Sequence, residues 1–247
     1  MGDRNDHDRL VSSDWIMNAE KIRTVPQPGG YQCREAFIQA IITGDPNLLL
    51  GGFTDLSINL GHEHMLRGLM NIFTRLPKEK FEPVLDTGLK TNFAMRQLTK
   101  GNETYFYVAN PCQWRMKGSL SIDTNGHIFE LRTGERALHG RRGLPLTLEP
   151  FGLAAFRVNS SHFKITSYST QPLDDEDRTR LEELIDGIAV FLETPARVAR
   201  TLFPSDHAYM RETLKNIRVE MAGKNYALAW SVITEPRFWS LYNALIG

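Results

Sequence analysis

Between Asn102 and Val158 the chain is interrupted every few residues by turn chemistry: Asn110-Pro111, Asp123-Thr124-Asn125-Gly126, Thr133-Gly134, Arg142-Gly143 and Pro150-Phe151-Gly152. The segments left between these turns are short and rich in aromatic and β-branched residues. Such runs at roughly 8–12-residue spacing build antiparallel sandwiches or barrels. Within ETYFYVAN, Tyr105, Tyr107 and Ala109 fall on one face of a strand, and Phe106 and Val108 on the other. Asn125-Gly126 separates SLSID from HIFEL, where a tight hairpin needs residues that accept positive φ.

The flanks read differently. Residues 1–30 show little periodicity and end in Pro26-Gln27-Pro28-Gly29-Gly30, a loop by composition. From Tyr31 a helix is expected, with Phe37, Ile38, Ile41 and Ile42 as its apolar stripe and Gly44 as its stop. Leu48 to Leu50 suit a short buried strand, and a second helix follows with Met65, Leu66, Leu69, Met70 and Phe73 inward and Pro77 closing it. Strands then begin near Phe81 and Asn92 and continue to Thr170. After Pro172, Leu181, Leu184, Ile185, Ile188 and Leu192 recur at helical spacing behind a carboxylate-rich first turn, where the helix dipole favours negative charge. Thr194-Pro195 suits the start of a second short helix ended by Pro204, Ser205 the cap of a third, and Gly223 a C′ position. Segments around Tyr226 and Trp230, and around Phe238 to Leu245, complete a helical tail.

The expected fold class is α+β: a small antiparallel β-sandwich flanked by an N-terminal α/β fragment and a C-terminal helical bundle. The corresponding domains are an irregular segment 1–30, a helix-strand-helix segment 31–80, the sandwich 81–171 and the bundle 172–247. Only the residues before Phe81 precede the β region, too few for a closed (β/α)8 barrel of about 250 residues.

Composition excludes some partners. Across 247 residues, 29 Lys plus Arg balance 29 Asp plus Glu. That balance offers no broad electrostatic footprint for nucleic acid or an anionic membrane. No apolar run approaches the ~20 residues of a membrane-spanning helix. The two cysteines, Cys33 and Cys112, stand far apart in no CxxC pattern and suit buried free thiols better than a disulfide.

Gly61-His62-Glu63-His64 comes nearest to a metal motif. A zinc-protease helix needs HExxH, and the fifth position here is Leu66. On a helix, His62 and His64 would point about 160° apart, so a helix start with Glu63 facing Arg67 fits better. The run Asp174 to Asp177 lacks calcium-loop spacing and suits a solvated helix start. Gly51-Gly52 has no phosphate-loop pattern around it, and no cofactor is expected. Asp55, Asn59, His62 and Glu63 follow a strand end, where α/β enzymes place their chemistry. No second carboxylate at a defined distance accompanies them, so no catalytic pair is nominated. Carbohydrates stack on exposed rings. Trp114, beside a turn, is the foremost candidate, and Tyr105 and Tyr107 join it if their face is open rather than covered by a neighbouring layer. Asp55 and His62 complete the carbohydrate-binding candidates.

Three runs, Tyr105 to Asn110, His127 to Glu135 and Leu146 to Val158, together resemble the C-terminal β domain appended to (β/α)8-barrel glycoside hydrolases. In such domains a YFYVxN strand opens the sheet, a G-x-v-x-E-L-x-T-G-E segment sits in the middle, and L-x-L-x-P-F-x-L-x-x-F-R-V closes it. The piece from Arg34 to Pro77 is similar to the last strand-and-helix portion of such a barrel. The resemblance implies glycosidic-bond hydrolysis by two carboxylates, yet the strands that would carry that pair lie outside the matching runs. It therefore implies a non-catalytic accessory region, with carbohydrate and a catalytic barrel or partner subunit as partners. The alternatives are a small glycosidase completed by oligomerisation, or an interaction module using the C-terminal helices.

Overall fold

The computed structural model describes residues 22–25, 32–44, 48–51, 63–84, 93–137, 143–194 and 202–246. Helices and antiparallel sheets both contribute, an α+β composition, and the chain divides into two compact units. The first comprises Met1–Gly88 with Phe93–Gln171, the second Leu89–Asn92 with Pro172–Gly247.

The first unit opens with a βαβ element. Strand β1 (Ile22–Val25) pairs in parallel with β2 (Leu48–Gly51) across helix α1 (Gln32–Gly44). Strand β1 falls in the segment read as irregular from sequence, because four residues are too few for alternation to announce a strand. In α1, Phe37, Ile38 and Ile41 are buried as their spacing requires. Helix α2 (Glu63–Phe73) buries Leu66, Leu69 and Ile72. The two helices meet at Phe37 and Phe73, whose rings pack edge to face at 5.9 Å.

Among the described residues eight antiparallel strands follow, in two sheets. The first sheet has the order β3 (Glu82–Pro83), β4 (Ala94–Lys100), β5 (Glu103–Ala109), β9 (Leu153–Val158), β7 (Ile128–Glu130). The second has the order β10 (Phe163–Thr170), β6 (Met116–Thr124), β8 (Leu144–Leu148). Pro145 sits on β8, an edge strand, where a missing N–H costs no ladder bond. In the same strand Leu144, Leu146 and Leu148 are buried while Pro145 and Thr147 are exposed, the alternation of a half-buried strand. Phe106 on β5 stacks on Phe156 of its own sheet at 4.9 Å and on Phe163 of the other sheet at 4.8 Å.

Asn125-Gly126 does not close a hairpin. Strands β6 and β7 belong to different sheets, so this turn carries the chain from one to the other. Gly126 is required by crowding rather than by φ: a Cβ there would lie 2.7 Å from Ser160 Cβ and 3.0 Å from Asn159 Oδ1. The two-residue hairpin is instead β4–β5, where Lys100 pairs Glu103 and Gly101 takes φ +59°.

The second unit holds four described helices: α3 (Asp175–Leu192), α4 (Pro204–Ala222), α5 (Tyr226–Ile233) and α6 (Pro236–Ile246). Asp174 caps α3, its carboxylate accepting from the Asp177 N–H at 2.9 Å. Leu181, Ile185, Ile188 and Leu192 are buried. The short helix expected after Thr194 lies outside the described residues. Pro204 opens α4 at its first position, where its fixed φ suits a helix start, and the cap position is Phe203 rather than Ser205. Gly223, expected at C′, is the C-cap in right-handed conformation, and Lys224 takes the left-handed position at φ +59°. None of the described helices is long and apolar enough to cross a membrane.

Candidate functional site

The parallel strands β1 and β2 end side by side, with Val25 opposite Gly51. In α/β sheets ligands gather at this C-terminal edge. Helix α1 follows β1 from that edge, and its first turn carries Arg34 and Glu35. The Arg34 Nε is buried with no hydrogen-bond partner. Burial raises the Glu35 carboxyl above its ordinary value, because removal from water disfavours the charged form. Asp55 and His62 lie in the segment leaving β2, outside the described residues.

Beside Glu35 is a corner built by two turns. Asn110, fully buried, donates from Nδ2 to the Trp114 carbonyl at 2.7 Å and the Glu149 carbonyl at 3.0 Å, and accepts at Oδ1 from the Cys112 N–H at 2.9 Å. Its backbone N–H donates to the Gly152 carbonyl at 2.8 Å, and the Phe151 N–H donates to the Cys112 carbonyl at 3.0 Å. Such complete satisfaction is what allows a buried amide. Phe151 sits at φ +48°, a region that non-glycine side chains seldom enter. Cys112 is a free, buried thiol; desolvation pushes its pKa well up, and the charge of Glu35 adds to that. A thiol so held stays protonated and is a poor nucleophile. Trp114 belongs to this corner and is 4% exposed, so its ring offers no open face to solvent in this arrangement.

Tyr105 and Tyr107 share one face of β5, as their spacing requires, but meet different surroundings. Tyr107 is 1% exposed; its hydroxyl donates to the Ile41 carbonyl of α1 at 3.5 Å, and its ring lies 5.3 Å from that of Phe81. Arg96, opposite Tyr107, donates to the Ile42 carbonyl at 2.9 Å and the Phe81 carbonyl at 3.3 Å. At the end of α2, the Arg75 guanidinium donates to the Leu131 and Arg132 carbonyls. These contacts lay the helices on half of the outer face of the five-stranded sheet.

Among the described residues, the next level along this face is half-buried. One residue pair further along β5, Leu98, Tyr105, Arg157 and Phe129 stand opposite one another across four strands. Tyr105 donates to Glu103 Oε2 at 2.7 Å, Arg157 bonds Glu103 Oε1 at 3.2 Å, and the Arg157 guanidinium lies 5.3 Å over the Phe129 ring. Desolvation, then the hydrogen bond to Glu103, raises the Tyr105 phenol above its ordinary range. Sequence reading identified Tyr105 but missed Glu103, Arg157 and Phe129. The signal lay in the strand register, which sets which residues are neighbours and which no single strand displays.

No family model matches the sequence, and no curated protein matches it. Solved structures similar to part of it include α-galactosidase I from Mortierella vinacea, at 10% identity and TM-score 0.38, covering 57% of this chain and 40% of that one. An α-amylase from Geobacillus thermoleovorans is similar at 12% identity and TM-score 0.38, covering 51% of this chain and 32% of that one. A putative α-N-acetylgalactosaminidase from Bacillus halodurans is similar at 11% identity and TM-score 0.35, covering 51% and 31%. The chain thus spans less than half the length of each of these proteins.

Proposed function

We propose that this chain is a non-catalytic C-terminal accessory region of a glycoside-hydrolase-like protein. In this reading the eight strands form a small β-sandwich that buttresses a catalytic (β/α)8 barrel, and a helical bundle follows it. The observation that supports it most is the seam joining helix α1 of the parallel β1–α1–β2 element to the five-stranded sheet through Tyr107 and Arg96. A parallel sheet is stable when both faces are covered and its strands have neighbours. A βαβ element stitched to a separate β layer is therefore suited to be the terminal piece of a larger α/β body. The resemblance of Tyr105 to Asn110, His127 to Glu135 and Leu146 to Val158 to glycoside-hydrolase β domains points the same way.

The test is to incubate the purified chain with a panel of nitrophenyl glycosides and, separately, to titrate it with oligosaccharides in a calorimeter. No turnover is expected. Turnover that disappears in Asp55→Asn overturns the non-catalytic reading in favour of a small glycosidase. Heat of binding without turnover supports a carbohydrate contact, and neither signal leaves a scaffold alone.

A second reading, an interaction module using the C-terminal helices, is favoured by apolar side chains there. Phe203 is 76% exposed, and Val190 and Val219 are each 63% exposed. Under this reading Phe203→Asp with Val219→Asp abolishes capture of a partner while leaving far-UV circular dichroism unchanged.

A further inference from the structure

We propose that the valley between α3 and α6 is a docking groove for a basic amphipathic helix of a partner protein. The proposal rests on the reading of the C-terminal helices as an interaction module and deepens it, using α3 and α6 rather than Phe203 and Val219 of α4. The two helices lie side by side and meet at Phe191 and Tyr242, whose rings are 6.3 Å apart, and the Trp239 ring continues the row 5.5 Å from Tyr242. Large apolar side chains border this row where solvent reaches them. Val190 of α3 is 63% exposed, and Trp239 and Ile246 of α6 are 36% and 42% exposed. Exposed apolar patches of this kind mark interaction sites.

Helical spacing makes two walls of these residues. Leu184, Gly187 and Phe191 fall within about 60° of one another around α3, and so do Trp239, Tyr242 and Ile246 around α6. None of the six is fully buried. The core of the helical unit uses other sides: Leu181, Ile185, Ile188 and Leu192 of α3, and Phe238 and Leu245 of α6. Each helix thus carries a second apolar stripe. Gly187 deepens the valley. A glycine inside a helix destabilises it relative to alanine, yet a Cβ at Gly187 would meet nothing within 4 Å. Among the described residues no neighbour requires a glycine there, and the gap it leaves admits a bulky side chain from outside.

Charge chooses the occupant. From Phe238 to Gly247 the chain has no charged side chain, so the α6 wall is neutral. The α3 lip is acidic: exposed Glu183, Asp186 and Glu193 lie within about 60° of Val190 around the helix. Asp186 pairs with Arg218 at 3.5 Å, while Glu183 and Glu193 form no ion pair among the described residues. The cations on the two helices nearest the groove are already engaged, Arg180 by Glu176 and Asp177, and Arg237 by Asp206 and the Tyr209 ring. An apolar floor with an acidic lip is complementary to a helix whose apolar anchors at i, i+3 or i+4, and i+7 are bordered by Lys or Arg. A second copy would bring the same acidic lip, and an anionic bilayer more negative charge, so both are disfavoured.

The probe is a fluorescein-labelled helical peptide of Leu, Ala and Lys with leucines on one face, beside a counterpart with Glu in place of Lys. Each is titrated with the intact chain and followed by anisotropy. The Lys peptide is expected to bind saturably, with about micromolar strength, and the Glu peptide at least tenfold more weakly. Gly187→Leu, which fills the notch with a good helix former, should raise Kd for the Lys peptide at least tenfold with far-UV circular dichroism unchanged. Trp239→Ser is the second groove variant, with the same expectation, should Gly187→Leu fail to fold. Glu183→Lys with Glu193→Lys should reverse the preference between the two peptides. Equal binding of both peptides, or binding unchanged in the folded groove variants, overturns the groove. Self-association of the chain in sedimentation that Gly187→Leu abolishes also overturns it, in favour of a second copy. If peptide binding is lost only in Phe203→Asp with Val219→Asp, the groove falls and the interaction module stands on α4. If no peptide binds, the groove is overturned, and the interaction module is then judged by partner capture alone.

Discussion

Glu35 and Cys112 lie near enough where α1 begins for the charge of Glu35 to act on the thiol, and removal from water raises the pKa of both. The Glu35 carboxyl titrates above its ordinary value of 4.5 in the folded chain because its charged form is desolvated. The folded state therefore binds the proton more tightly than the unfolded chain does. Its contribution to stability is full below pH 4.5 and is lost as pH rises through the elevated folded value. Glu35→Gln should accordingly raise Tm at pH 7 and flatten the decline of Tm between pH 4.5 and 7, measured by differential scanning fluorimetry. An unchanged pH profile would show that the carboxylate reaches water. Cys112 should react with an aromatic disulfide reagent in a Cys33→Ser background only at the rate of unfolding, because its thiol is buried and protonated. Sequence reading had placed Trp114 beside a turn, which it is. What it could not supply was Asn110, whose three side-chain hydrogen bonds hold the backbone of that turn while Trp114 is buried.

At the scale of elements, the end of α4 shows how a turn's chemistry and its position separate. The Asn225 N–H donates to the Glu220 carbonyl at 2.9 Å, and the Lys224 N–H to the Met221 carbonyl at 3.0 Å, the pair of bonds that closes a Schellman motif. The left-handed residue in that motif is Lys224, one place after the glycine. Lys224→Gly should stabilise the helical unit by about 0.5–1 kcal/mol, since the lysine Cβ is strained at positive φ and glycine is not. Urea denaturation would read this as a higher midpoint with unchanged slope. At the turn between β6 and β7 the expected effect is opposite. Gly126→Ala puts a methyl 2.7 Å from Ser160 Cβ and should destabilise the first unit by roughly 1–3 kcal/mol. Both glycines were visible as turn residues. Gly126 answers to crowding by Asn159 and Ser160, distant in sequence, whereas Gly223 sits at φ −76° and meets only its own helix end.

For the whole molecule, two compact units predict two separable responses. Arg96→Ala removes charge-assisted hydrogen bonds to the Ile42 and Phe81 carbonyls, each worth about 1.5–3 kcal/mol. It should lower the calorimetric transition of the first unit and leave that of the helical unit in place, while Lys224→Gly moves the second alone. A single transition shifted by both substitutions would mean that the units unfold together. Much of the element order was legible because it is written in short-range patterns. Aromatic alternation set the faces of β5, the stripe Phe37–Ile38–Ile41 set the inward side of α1, and the acidic run set the start of α3. Strand partners were not legible: SLSID and HIFEL look like the two arms of one hairpin and lie in different sheets. Sequence by itself determined periodicity, faces and breaks, since these follow from backbone geometry within a few residues. Only the tertiary structure decided that Tyr107 is sealed while Tyr105 is half-buried, and that Arg157 and Phe129 stand beside Tyr105. Those outcomes depend on pairing and coverage between segments tens of residues apart, and no local pattern encodes the choice.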